Sequence, residues 1–138
     1  MDNIVSLISK IRAKSNKLIM REMASRKMKG LVTSHGDILV ALFQKRTLTM
    51  KEIADKIEKD KSTVTVLINK LIAQGYVQKE RDAFDTRMVM VALSDKGKKL
   101  KTDFEEISKK LLSAIYQGIS EEEKKTLAVL LQKIDHNL

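Results

Sequence analysis

The hydrophobic period of this chain changes at Gly75, and this change constrains the fold more than any other feature of the sequence. Before Gly75, apolar residues recur every three or four positions, which is the spacing of amphipathic helices. Residues 76–93 instead alternate in polarity or form β-branched runs around a polar turn, which predicts two short strands. From Ser94 onwards the helical spacing returns. The sequence therefore predicts a mainly α fold with a small β-hairpin, that is, an α+β chain.

Capping residues and glycines place the ends of the predicted helices. The first amphipathic helix spans 3–28, and a single helix is expected over 95–118. Two S/T-x-x-E capping boxes, in which each side chain bonds the other residue's backbone N–H, mark two further helix starts. The predicted starts and stops are Thr33 or Ser34, Thr49 with Glu52, Asp60 or Ser62, Gly75, Ser94, Gly118, and Ser120 with Glu123.

The composition excludes several kinds of site. The chain has no Cys, and its two His are at positions 35 and 136, so it lacks the ligands for a thiolate or multi-histidine metal site. It also has no stretch of apolar residues long enough to span a membrane. We therefore expect a cytoplasmic protein with no metal, no cofactor and no membrane partner.

The chain is strongly basic, with a net charge of +9. Most of the excess lies in residues 1–30, which carry eight Lys or Arg against two Asp or Glu. A basic surface favours a polyanionic partner, most simply a nucleic acid. The basic face of the first helix is equally consistent with solvated lysines, with an anionic ligand or with long-range attraction of DNA.

Two short helices followed by a β-hairpin predict a winged helix-turn-helix, whose second helix enters the major groove of DNA. The face of that second helix opposite its apolar stripe is small or polar, whereas a solvated face usually carries Glu, Lys and Gln. Small polar side chains suit base edges and phosphates at close range. A solvated face behind a simple N-cap is the alternative. The predicted DNA-contacting residues of this helix are Lys61, Ser62, Thr63, Thr65, Val66, Asn69 and Lys70.

The turn between the two predicted strands reads RDAFDTR, residues 81–87. Arg87 could form a surface ion pair of little energetic consequence, or it could enter a narrow minor groove with Asp85 holding its guanidinium. We predict the second role for Arg87 and Asp85, and a phosphate contact for Arg81. The carboxylates of Asp82 and Asp85 could suggest acid–base catalysis, but a convex turn without a nearby nucleophile does not favour it. We predict no catalytic residue.

The chain resembles the MarR family of transcriptional regulators (multiple antibiotic resistance regulator type) over about residues 31–100. The upstream segment LTMKEIADKI fits the family's T-x-x-E-[LI]-A-x-x-[LI] element. Positions that agree with the remaining family pattern, in order along the chain, are Ser62, Thr63, Val64, Thr65, Leu67, Ile68, Leu71, Gly75, Tyr76, Val77, Lys79, Asp82, Asp85, Arg87, Leu93, Ser94 and Gly97.

This resemblance implies a single domain over 1–138, with a winged helix-turn-helix lobe at 31–93 and dimerisation helices at 1–30 and 94–138. It implies a homodimer that binds a pseudo-palindromic operator in double-stranded DNA. It also implies a repressor that releases DNA when a small, aromatic or anionic effector binds.

The chain departs from the family pattern at three positions, and one of them is Ala83, which replaces a common Pro in the turn and leaves the turn less pre-set. Val66 stands where many members carry Arg, and Thr86 replaces another common Arg, which leaves the turn more dependent on Arg87. Val66 could favour a thymine methyl group, which an apolar side chain recognises well. These departures leave a second interpretation open, in which the chain is a winged-helix protein-interaction module without specific DNA binding.

Overall fold

The computed structural model describes residues 3–138 and confirms a mainly α fold with a small antiparallel sheet. Residues 1–2, which begin the predicted 1–30 segment, lie outside the described residues. The elements are α1 (Ile4–Ser25), α2 (Thr33–Gln44), β1 (Thr47–Thr49), α3 (Met50–Ile57), α4 (Lys61–Ala73), β2 (Val77–Arg81), β3 (Val89–Leu93), α5 (Asp95–Lys98), α6 (Lys101–Ile115) and α7 (Glu121–Asn137).

The sheet has three antiparallel strands in the order β1-β3-β2. The hairpin pairs Val77 with Leu93, as the change in period predicts, and β1 adds Leu48 opposite Val91. The sequence prediction lacks β1, because three residues are too few to show a period of two. Leu48 is nonetheless only 2% exposed, so this short strand closes the core beneath β3.

Helices α3 and α4 form the predicted helix-turn-helix. Thr49 Oγ1 accepts from the Glu52 N–H at 3.1 Å, and Glu52 Oε1 accepts from the Thr49 N–H at 2.9 Å, which confirms the capping box. Glu58 ends α3 in the left-handed conformation, with φ 57°. Asp60, two residues later, caps α4. Since β2 and β3 follow α4 directly, the winged helix-turn-helix is confirmed.

The start of α2 differs from the prediction that Thr33 or Ser34 caps it. The capping position is Val32, whose backbone N–H donates to Nδ1 of His35 at 2.8 Å. His35 is only 4% exposed. Burial, and to a lesser degree the positive charge of Lys70, lowers the pKa of this imidazole. An imidazole therefore performs the capping that the sequence pattern assigns to a hydroxyl group.

Two helices differ from the extent that their apolar spacing predicts. Helix α1 stops at Ser25 rather than near residue 28, and Lys27 adopts a left-handed φ of 67°. The single helix predicted over 95–118 is divided into α5 and α6. The division is a tightened turn, because the N–H of Leu100 bonds to the carbonyl of Gly97, only three residues back, at 3.1 Å.

One hydrophobic core joins the helix-turn-helix to both predicted dimerisation segments. Met23 of α1 and Phe104 and Ile107 of α6 pack in the same cluster as α2, α3, α4 and the sheet. At the rim of this core, Arg26 donates to Glu106 Oε2 at 2.6 Å and so ties the end of α1 to α6. The helix-turn-helix is therefore fixed directly on the α1–α6 pair.

Large apolar side chains remain on the surface of the terminal helices. Helix α7 has no buried residue, and the first half of α1 is also exposed. Exposed apolar residues of these helices and of the end of α6 are Ile4, Val5, Leu7, Ile8, Ile11, Leu112, Ile115, Leu127, Val129, Leu130 and Leu131.

Candidate nucleic-acid interface

Helix α4 presents its predicted contact residues outward. Its apolar stripe is buried, with Val64, Ile68 and Leu71 each 0% exposed. On the opposite side Val66 is 70% exposed, and Asn69 is also exposed. The structure therefore places all seven predicted residues of this helix on the surface: Lys61, Ser62, Thr63, Thr65, Val66, Asn69 and Lys70.

The N-terminus of α4 is closed by a side chain of the protein itself. Asp60 Oδ1 accepts from the backbone N–H of Thr63 at 2.7 Å and from the hydroxyl of Ser62 at 2.8 Å. These bonds, led by the one from Thr63, hold the pKa of Asp60 below its usual range. The Thr63 N–H is thus already bonded, which argues against phosphate capture by this amide. Ser62 retains its hydroxyl oxygen as an acceptor.

Further along α4 the polar side chains differ in what they bond. Thr65 Oγ1 donates to the carbonyl of Lys61 at 2.9 Å, which leaves its methyl group and its oxygen lone pairs accessible. Lys70 Nζ donates to the carbonyl of Gly30 at 2.5 Å, so its charge lies towards the α1–α2 loop. The side-chain amide of Asn69 forms no hydrogen bond within residues 3–138. Asn69 is therefore the α4 side chain best suited to a bidentate contact with a base.

The loop between β2 and β3, residues 82–88, is called here the tip loop. In it Arg87 is paired with Asp85, as predicted. Arg87 Nε donates to Asp85 Oδ1 at 3.0 Å and Nη2 donates to Oδ2 at 3.3 Å. The Arg87 side chain, followed by its backbone N–H, lowers the pKa of Asp85. The Arg87 side chain remains 89% exposed, so the guanidinium is oriented by the carboxylate without being withdrawn from the surface.

The other charged residues of this turn hold its backbone. Arg81 Nη1 donates to the carbonyl of Thr86 at 2.7 Å. The side chain that we predict to contact a phosphate therefore also stabilises the tip loop. Asp82 Oδ2 accepts from the backbone N–H groups of Phe84 and Asp85, at 3.3 and 2.9 Å. Because both carboxylates are engaged in these local bonds, the loop has the organisation of a rigid surface turn.

Sequence reasoning assigned no role to two features at the edges of this surface. Phe84, at the centre of the tip loop, is fully exposed. Gln74, at the end of α4, donates to the carbonyl of Lys29 at 3.2 Å and joins Lys70 in tying α4 to the α1–α2 loop. A spacing argument could not have found these tethers, since they span 40 and 45 residues along the chain.

A small cavity of about 150 Å³ lies between α1, α2 and α6. Thr33 Oγ1 is buried there and has no hydrogen-bond partner among the described residues. Asp37 also lines the cavity; the residue is exposed to solvent, but partial desolvation raises the pKa of its carboxyl group. The residues around the cavity are Ile19, Thr33, Gly36, Asp37, Val40, Phe104, Ile107, Ser108 and Leu111.

Within residues 3–138, no group of three or more His, Asp or Glu side chains is arranged to hold a metal ion. No helix of this part of the chain is long and apolar enough to cross a membrane.

The protein-family model described as transcriptional regulator SarA/Rot matches residues 25–104. An uncharacterized HTH-type transcriptional regulator from Bacillus subtilis, YwhA, is 26% identical over 72% of this chain and 71% of its own length. The HTH-type transcriptional regulator SarZ of Staphylococcus aureus is 31% identical, over 62% of this chain and 57% of its own length.

Solved structures show the same fold. A MarR transcriptional regulator from Methanosarcina mazei Go1 aligns with a TM-score of 0.83 and 24% identity, over 97% of this chain and 94% of that one. A mutant MarR from E. coli, complexed with operator DNA, aligns with a TM-score of 0.82 and 19% identity, over 94% of this chain and 91% of that one. The predicted MarR-like fold is confirmed.

Proposed function

We propose that this chain, which belongs to the SarA/Rot family of transcriptional regulators, is a homodimeric repressor that binds a pseudo-palindromic operator in double-stranded DNA. The observation that carries the proposal is the pairing of two surfaces on one rigid lobe. Helix α4 exposes Asn69 and Val66, and the tip loop exposes an oriented Arg87. The first surface suits the major groove and the second the minor groove beside it.

The division of contacts follows from the chemistry of each side chain. An Asn amide can bond both N6 and N7 of adenine, and an exposed Val can contact the methyl group of thymine, so α4 favours A·T pairs. Arg87 is attracted to a narrow minor groove, where the negative potential is enhanced. Lys61 and Arg81 supply positive charge to the phosphates, which fixes the register, whereas the hydroxyl oxygens of Ser62 and Thr65 suit the amino groups of bases. The complex of mutant E. coli MarR with operator DNA supports DNA as the partner of this fold.

The exposed apolar surface of α1 and α7 supports dimerisation. Leu7 and Ile8 are 58% and 42% exposed, and Leu130 and Leu131 are 50% and 44% exposed. Soluble monomers rarely expose large contiguous apolar patches, and a two-fold interface uses the same patch on both copies. A dimer would place two copies of α4 about one helical turn of DNA apart, roughly 34–36 Å.

The cavity between α1, α2 and α6 is the place where we propose that an effector binds. It lies between the elements assigned to dimerisation and those assigned to DNA binding. The carboxyl group of Asp37 in the lining disfavours an anion, whereas Phe104 and the unpaired hydroxyl of Thr33 suit a small aromatic ligand with a polar group. The volume of about 150 Å³ is below the roughly 300–1,000 Å³ of sites for drug-sized ligands.

A thermal-shift screen of small phenols and aromatic acids tests the effector directly. A ligand that binds this cavity should raise the melting temperature and weaken DNA binding by the same protein. Acids that bind more tightly than the matched phenols would contradict the assignment of Asp37.

A mobility-shift titration of DNA from upstream of the protein's own coding sequence tests operator binding. The wild-type protein should bind one segment of this DNA far more tightly than random DNA. Asn69→Ala should reduce this preference, with a smaller effect on random DNA, because Asn69 is assigned to a base rather than to phosphate.

The alternative, a protein-interaction module without specific DNA binding, makes the opposite prediction for the same titration. Neither Asn69→Ala nor Arg87→Ala would then change DNA affinity, and the preference for one segment would be absent.

A further inference from the structure

Phe84 occupies the most exposed place that the tip loop offers. Its side chain is 100% exposed, although a Phe side chain carries roughly 150–250 Å² of surface that is stabilised by burial. The neighbouring strand residues cannot shield it, because β2 ends at Arg81 and β3 begins at Val89. The ring therefore points away from the core of its own chain.

The tip loop holds Phe84 in this place through hydrogen bonds at both ends and in the middle. The Asp82 N–H donates to the carbonyl of Met88 at 3.0 Å, and the Met88 N–H donates to the carbonyl of Asp85 at 3.0 Å. Asp82 Oδ2 also accepts from the N–H of Phe84 itself. Because the loop is ordered before any partner arrives, presenting the ring costs little additional conformational entropy on binding.

We propose that Phe84 is an apolar wedge that inserts its ring between two base pairs from the minor-groove side of the DNA, next to the site of Arg87. The proposal rests on the function proposed above and adds a structural consequence, namely a local unstacking and kink of the DNA at each tip loop.

The position of Arg87 favours DNA over a protein as the occupant. Arg87 follows Phe84 by three residues in the same ordered loop, and its exposed guanidinium is aimed by Asp85. Proteins that bind the minor groove combine such cations with apolar wedges, which partly unstack a base step and bend the duplex.

The two carboxylates of the loop are engaged by local partners. Asp85 is paired with Arg87, and Asp82 accepts from two backbone N–H groups, so both carboxylates are held within the loop. Wedge insertion costs least at pyrimidine–purine steps, which unstack readily. The proposal therefore predicts a preference for TA or CA/TG steps at the positions that face the tip loops.

Base unstacking can be read directly with 2-aminopurine, whose fluorescence rises when it leaves the stack. A duplex selected by the wild-type protein from a random pool is labelled at successive positions across both flanks of the half-sites. Phe84→Ala, Phe84→Leu and the control Thr86→Ala, which keeps the backbone carbonyl used by Arg81, are compared with the wild type.

The wild-type protein should raise the 2-aminopurine signal at one step on each flank. Phe84→Ala should abolish that rise and weaken binding by about tenfold or more, since a large apolar contact is lost. Phe84→Leu should keep part of both effects, because Leu is also a wedge residue. Thr86→Ala should behave as the wild type does. Because Phe84 makes no core contact, all variants should keep the wild-type melting temperature.

Two results would overturn the wedge while leaving the proposed function intact. One is tight wild-type binding with no unstacked step on either flank. The other is an unstacking signal of equal size in Phe84→Ala. The ring would then have no part in unstacking, and a protein would become the alternative partner of Phe84. If the pool yields no duplex that the wild-type protein prefers, the proposed function fails, and the wedge fails with it.

Discussion

The ion pair in the tip loop allows affinity for DNA and specificity for its sequence to be separated by two substitutions. Arg87→Ala removes the guanidinium, and Asp85→Asn keeps a side chain of the same shape while removing the charge that orients it. Arg87 is 89% exposed and its side chain bonds only to Asp85 within the described residues. We therefore expect the free energy of unfolding of Arg87→Ala to stay within about 0.5 kcal/mol of the wild type.

The loss in DNA affinity follows from the number of contacts removed. A hydrogen bond made by a charged group is worth about 1.5–3 kcal/mol. Loss of the Arg87 contact at each tip loop should therefore weaken DNA binding roughly 10- to 150-fold. If each guanidinium also displaces one counterion, the slope of log K against log salt should flatten by about 0.9 per tip loop, or nearly 2 for two copies of the chain. The loss in DNA affinity and the flattening of the salt slope should both exceed those caused by any other single substitution of a charged residue in the tip loop.

Asp85→Asn should have a different signature. Removing a negative charge near the phosphates favours binding to any DNA, while the freed Arg87 loses its fixed direction. Affinity for random DNA should therefore hold or rise, and the ratio of operator to random affinity should fall.

Fluorescence anisotropy over a salt series, on operator and scrambled duplexes, measures both quantities. Lys109→Ala on α6 is a matched control, because it removes one exposed positive charge far along the chain from the tip loop. The reasoning is refuted if Arg87→Ala matches Lys109→Ala in affinity and slope, or if Asp85→Asn raises the specificity ratio.

Three further predictions concern the scaffold. Gly97→Ala should destabilise the fold by about 1–3 kcal/mol in urea unfolding, because a Cβ there would lie 2.0 Å from the carbonyl oxygen of Tyr76; an unchanged midpoint would contradict this. Since burial lowers the folded pKa of His35, the unfolded state binds more protons, and stability should fall as the pH drops below about 6.5. His35→Gln should weaken this dependence between pH 7.5 and 5.5, and identical pH profiles would refute it. Leu130→Glu should convert the proposed dimer to a monomer in light scattering while helical circular dichroism persists, and an unchanged mass would argue against α7 as the interface.

The helix-turn-helix was predictable because its local and tertiary preferences agree. The Thr49–Glu52 box, the buried stripe of α4 and the stop at Gly75 each indicate the same boundaries that the structure shows. The pairing of Arg87 with Asp85 was also predictable, because the two side chains are only two residues apart.

The parts that sequence reasoning missed depend on contacts between distant segments. Strand β1 forms because Thr47–Thr49 pairs with β3, and three residues are too few to show a period that would predict this pairing. His35 caps α2 because burial keeps its imidazole neutral and able to accept a hydrogen bond. The tether from Lys70 to Gly30 likewise needs the folded core to bring α4 beside the α1–α2 loop.

The ratio of operator to scrambled-DNA affinity of the wild-type protein, measured by anisotropy near physiological salt, bears most directly on the assignment of α4 and the tip loop to DNA. If Asn69 and Arg87 read the grooves, the operator should bind about a thousandfold or more tightly than the scrambled duplex, and both affinities should decrease steeply as salt is added. Equal affinities for the two duplexes, or binding that does not respond to salt, would contradict that assignment.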